Sequence, residues 1–180
     1  MLAVWRRGLL WLEKIEMAVA IVLFASIVVA IFCQVVSRYG FNWPLVWVEE
    51  ASIYAFIWIV FLGAAIGAKR LSHIRIEALS LAFPARGQAF LRLLGAAVML
   101  FVTVYLIIRL PAVLRIEMRS VTVSLPVQLP RMWFYSVPLL YACISMALTQ
   151  VYFVAAGAVS LRTGVAVTGI GGQPDPKEGI

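Results

Sequence analysis

Two adjacent carboxylates, Glu49 and Glu50, stand in RYGFNWPLVWVEEA (residues 38–51), between two long apolar runs and close to Arg38 and Trp47. Neighbouring acids of this kind could serve a proton relay. A relay needs further carboxylates through the bilayer, and none occurs from Ala51 to Ala68. Catalysis needs a nucleophile with its base, and the chain offers no such pair, no HExxH and no Gly-rich phosphate loop. His73, in KRLSHIRIE, has no second histidine, cysteine or aspartate near it to complete a metal site. No catalytic residue, cofactor or metal is therefore expected. What remains is electrostatic and structural: a solvated pair of acids at the membrane interface, or an anchor in which Glu49 or Glu50 pairs with Arg38 or with a partner protein.

The elements that hold these residues follow from composition. The chain of 180 residues is 64% hydrophobic and only 13% charged, with a mean hydropathy of +1.01. Soluble domains carry about 25% charged residues, so this is an integral membrane protein. The net charge of +7 would suit nucleic acid if it formed one stripe. The basic residues instead flank apolar blocks, so a membrane lipid surface is the expected contact and nucleic acid is not. Cys33 and Cys143 each fall inside an apolar run and read as small buried hydrophobes, not a disulfide framework.

A helix needs about 20 apolar residues to cross the hydrocarbon core. Four segments meet or approach this, giving an all-α fold with spans at about 17–37, 45–68, 88–110 and 132–161. The charge-free run of the first is longer than a signal-peptide core of about 7–15 residues, so it is expected to be retained. Residues 1–14, with Trp5, Leu9 and Leu12 near one face, suit an interfacial helix. The HIRIEALSLAFP stretch suits a second interfacial element. Residues 1–162 read as one transmembrane domain, and the Gly- and Pro-rich 163–180 as a disordered tail. Pro138, inside the last run, predicts a kink or the start of its buried part.

Basic residues favour the cytoplasmic side. Arg6, Arg7, Lys14, Lys69, Arg70, Arg75, Arg86, Arg92, Arg162 and Lys177 outnumber Arg38, Arg109, Arg115, Arg119 and Arg131 on the opposite side. Both termini are thus expected in the cytoplasm, and residues 38–51 outside. Asn42 and Pro44 should cap and open the second helix, with Glu49 and Glu50 near its positive end. Gly63 and Gly67 form GxxxG, continued by Ala51 and Ala55, a surface another helix could approach closely. Pro130 should begin the last helix, with Tyr135 anchoring it at the interface.

The pieces in this order resemble a known family. QVVSRYGFNWPLVWVEEASIYAFIWIVFLGAAIGAKRLSHIRIE (34–77) is similar to the signature region of the small membrane subunit, DctQ-like, of tripartite ATP-independent periplasmic (TRAP) transporters. Matching features are Arg38-Tyr39, Phe41, Pro44, Trp47, Glu49-Glu50, Gly63-Ala64 and His73-Ile74, followed by Leu129, Pro130, Tyr135 and Pro138. The resemblance implies a bacterial inner-membrane scaffold, not a transport pathway. Its partners would be a large permease subunit that holds substrate and sodium sites, and a periplasmic solute-binding protein that delivers a carboxylate-bearing solute. The rival expectation is a stand-alone oligomeric channel or small transporter. That rival needs polar residues lining a lumen, and the spans offer only scattered Ser26, Thr103, Ser145, Thr149 and Gln150.

Overall fold

A computed structural model of the chain describes residues 2–70 and 85–163. His73, the HIRIEALSLAFP element and residues 164–180 of the tail lie outside the described residues. Among the described residues there are four α-helices: α1 (Leu2–Gly40), α2 (Val46–Lys69), α3 (Ala85–Glu117) and α4 (Ser136–Thr163). A three-residue 3-10 turn, Arg131–Trp133, precedes α4. All four are long and apolar enough to cross a membrane, as the composition demands. Only helices and closed barrels satisfy their backbone groups inside lipid, which is why so apolar a chain adopts this class.

The helix ends are set by local chemistry. α1 runs unbroken for 39 residues, about 58 Å at 1.5 Å each, because no proline interrupts it. Residues 2–16 therefore continue the first span without a break. Asn42 sits at φ 54, a left-handed conformation that asparagine tolerates better than most side chains. Phe41 and Trp43 N–H groups both reach back to the Ser37 carbonyl, at 3.2 and 3.1 Å, and the Ser37 hydroxyl donates to the Trp43 carbonyl at 2.6 Å. Asn42 thus closes the corner after α1 instead of capping α2, which begins at Val46. Pro44 stays in the linker, where its missing N–H costs nothing and its ring keeps Trp43 out of a helix. α3 carries Pro111 and still continues to Glu117. Pro138 falls in the first turn of α4, a position without an intrahelical donor, so it marks a start there.

The chain packs as two compact units. Met1–Lys14, Ala65–Leu106 and the segment from Cys143 form the first. Its core is Leu9, Ala96, Tyr152, Phe153 and Ala156, with Trp5 edge-on to Tyr152 at 6.2 Å. Gly157 lies where an added Cβ would come within 3.3 Å of Leu93 Cδ1. Small and aromatic residues alternate there so that the helices interdigitate.

Ile15–Ala64 and Ile107–Ala142 form the second unit. The connection from α3 to α4 is a closed loop: Val121 and Pro130 pair as an antiparallel bridge, with Thr122 N–H to Leu129 O at 3.0 Å and Arg131 N–H to Ser120 O at 2.9 Å. The Thr122 hydroxyl donates to Val127 O at 3.0 Å and accepts from Leu129 N–H at 3.1 Å. A loop whose backbone groups are satisfied internally in this way holds one shape.

Candidate functional site

Glu50 lies one turn into α2, and its carboxylate reaches the loop between α3 and α4. Oε2 accepts the N–H groups of Ser124 at 2.5 Å and Leu125 at 3.0 Å. Oε1 accepts Val123 N–H at 3.2 Å and the Tyr54 hydroxyl at 2.5 Å. Three successive backbone N–H groups converging on one anion form a nest, and hydrogen bonds to an ionised acceptor are roughly twice as strong as neutral ones. The position near the N-terminus of α2 favours the negative charge as well. Glu50 is therefore a clamp that ties α2 to the loop between α3 and α4.

Aromatic stacking extends the clamp into the start of α4. Tyr54, buried one turn after Glu50, stacks on Phe134 with ring centroids 4.1 Å apart and planes 12° from parallel. Tyr135 meets it edge-on at 5.8 Å. The Ser136 hydroxyl bonds the Glu117 carboxylate, tying the end of α3 to the start of α4. One side of the loop is thereby pinned, while Val121, Val123 and Val127 point outward, Val123 being 78% exposed.

The residues singled out by the sequence divide cleanly. Glu50, Pro130 and Tyr135 come together in this assembly: Pro130 closes the loop bridge, and Tyr135 packs on Tyr54. Glu49, Arg38 and Trp47 are exposed. Neither acid makes an ion pair with Arg38 among the described residues; Glu50 takes amides and a phenol instead. Gly63 is exposed with open space where a Cβ would sit, and Gly67 is half-buried. Hence no neighbour within the described residues crowds the Gly63 face. His73 lies outside the described residues.

Sequence reasoning missed a set of buried charges. Glu16 is 1% exposed and accepts the Tyr141 hydroxyl at 3.1 Å in the second unit. In the first unit Lys69, 0% exposed, donates to Ser145 Oγ at 2.6 Å, and Arg70 pairs with Glu13 at 2.6 Å. Lys69 and Arg70 read from the sequence as loop residues because they end an apolar run. The available signal was Glu13 and Glu16 at i, i+3, which share a helical face. Charges at such depth are costly and are kept where they pair. Among the described residues no three His, Cys, Asp or Glu gather to hold a metal.

The family model described as "Tripartite ATP-independent periplasmic transporters, DctQ component" matches residues 27–159. A protein of Haemophilus influenzae named as a TRAP transporter small permease is 36% identical over 98 residues, which cover 54% of this chain and 60% of that protein. The C4-dicarboxylate TRAP transporter small permease protein DctQ of Vibrio cholerae is 35% identical over 77 residues, 43% of this chain and 33% of the relative. A sialic acid TRAP transporter permease protein, SiaT, of Haemophilus influenzae is 26% identical over 98 residues, 54% of this chain and 16% of the relative. The chain spans less than two thirds of the length of each of these curated relatives. With the family match running over most of its length, the chain belongs to the DctQ family of TRAP transporter components, multi-pass proteins of the bacterial inner membrane.

Proposed function

We propose that this chain is the small permease subunit of a TRAP-type importer. It braces a large permease subunit in the bilayer and helps a periplasmic solute-binding protein dock. The importer takes up a carboxylate-bearing solute with sodium, and this chain carries neither of their sites. Both termini face the cytoplasm, so residues 38–51 and the connection between α3 and α4 face the periplasm. Residues 1–162 act as one transmembrane domain, with 163–180 as a cytoplasmic tail.

The observation that carries the bracing role is the state of α1. None of its most apolar stretch is buried within the chain, against 44% of the corresponding stretch in the last helix. Ile21, Val22, Phe24, Val28, Val29 and Phe32 are all exposed. A helix of about 58 Å is also longer than the ~30 Å hydrocarbon core, which suits a strut whose end meets a partner outside it. The docking role is supported by the loop: the Glu50 clamp fixes its shape, its apolar side chains Val121, Val123 and Val127 are exposed, and the exposed Arg115 and Arg119 precede it in the sequence. A rigid apolar surface with a basic rim fits an acidic protein partner.

Deleting this chain from a strain that depends on the importer should abolish sodium-driven uptake of its solute. Reintroducing the wild-type chain should restore it. Uptake that persists undiminished without the chain would overturn the proposal.

A further inference from the structure

The start of α1 sorts its charges by face. Leu9, Glu13 and Glu16, at i, i+4 and i+7, are buried, so both acids of residues 2–16 turn toward the protein. Both are engaged there: Glu13 Oε1 accepts Arg70 Nε at 2.6 Å, and Glu16 accepts the Tyr141 hydroxyl at 3.1 Å. Arg7, Trp11 and Lys14 repeat the same spacing on the opposite side of the helix and are exposed, Trp11 at 70%. Arg6 is exposed beside them. None of these three cations makes an ion pair among the described residues. The outward face is therefore cationic and aromatic, with no acid to offset it.

The depth of this face follows from the helix. The charge-free run from Met17 to Ser37 is about 31 Å long at 1.5 Å per residue, which matches the ~30 Å hydrocarbon core. Lys14 then lies about 4.5 Å beyond the edge of the core along the axis, Trp11 about 9 Å and Arg7 about 15 Å. The headgroup layer of each leaflet is about 5–7 Å deep. Lys14 falls within it and Trp11 at its outer edge, while Arg7 stands within one Debye length, ~8 Å, of its outer boundary. An indole favours this layer, and cations there are drawn to anionic lipid. A phosphate is also an acceptor that the planar fork of arginine fits.

We infer that the outward face of the start of α1 binds the headgroup of an anionic phospholipid, its phosphate drawn to Lys14 and Arg7 and its glycerol backbone against Trp11. The charge of the face selects an anionic headgroup over a zwitterionic one, because the attraction comes from cations without counter-charges. The depth of the face selects lipid over an acidic protein, because phospholipid phosphates occupy that layer. The inference rests on neither the bracing nor the docking role.

The test uses the full chain in the assembly it forms, purified in mild detergent and reconstituted into phosphatidylcholine vesicles. One preparation carries a minority of phosphatidylglycerol with a photoactivatable group at the start of one acyl chain. The other carries phosphatidylcholine with the same group. Mass spectrometry maps the adducts. Phosphatidylglycerol should label residues 7–14 in excess over phosphatidylcholine, and high salt should remove the excess. A cation near an anionic surface is worth about fivefold in binding, so Arg7→Gln and Lys14→Gln should each cut the excess by about that factor. Arg7→Lys, which keeps the charge, should keep the labelling, and adducts on Phe24 and Phe32 should be the same in every variant. The salt dependence of the wild-type chain alone decides the matter if a variant fails to accumulate. Equal labelling of residues 7–14 by the two lipids would overturn the inference. So would a face shielded from both lipids by a second polypeptide.

Discussion

A carboxylate held by three consecutive backbone N–H groups and a phenol resists replacement, because no neutral side chain offers four acceptor sites in that shape. Glu50→Ala should therefore loosen the loop most, Glu50→Gln less, and Tyr54→Phe least, since it removes a single donor. Glu49→Gln, on an exposed neighbour, should change nothing. Limited proteolysis at residues 120–130 in membranes would rank the four. Equal behaviour of the Glu49 and Glu50 variants would contradict the clamp. The buried pairs give a second prediction. Lys69→Met leaves Ser145 without its charged donor and should cost about 2 kcal/mol, read as a lower melting temperature of the detergent-solubilised chain. Glu50 was legible in the sequence as a charge out of place. Its partners were not, because backbone amides of 123–125 carry no side-chain signature, whereas Arg38 advertises itself as a cation and drew the pairing expectation.

At the scale of elements, membrane insertion made the fold readable. Spanning segments must be long, apolar and helical, so composition alone marks them. Their ends were harder. Asn42 and Pro44 look like the opening of α2, yet the left-handed φ of Asn42 finishes the corner after α1. Both roles use the same residue types, and only the backbone decides between them. The small-residue stripe on α2 likewise had no assigned neighbour. Its Ala51–Ala55 part now lines a groove, while Gly63 faces open space. Gly63→Leu should therefore leave the stability of the isolated chain nearly unchanged, because no atom within 4 Å meets the new side chain. It should still reduce association with a partner helix that packs there. Melting of the purified chain and recovery of the complex, measured together, separate the two effects. A large fall in the chain's own melting temperature would show that the face is already occupied.

At the scale of the whole molecule, orientation is fixed by the proposal that both ends lie in the cytoplasm. Ser124→Cys, placed in a chain whose Cys33 and Cys143 are changed to alanine, should react with a membrane-impermeant maleimide added outside the inner membrane. A cysteine at Lys14 should react only after the membrane is opened. The reverse pattern would invert the topology and remove the outer loop from contact with a periplasmic protein. On the proposed function this chain acts as a structural partner and not alone. The most direct test is to purify the tagged wild-type chain from native membranes in mild detergent and weigh the intact assembly. A stoichiometric complex with a large multi-span permease is expected, much reduced in Glu50→Ala. Recovery of this chain alone, as a defined homo-oligomer, would contradict it.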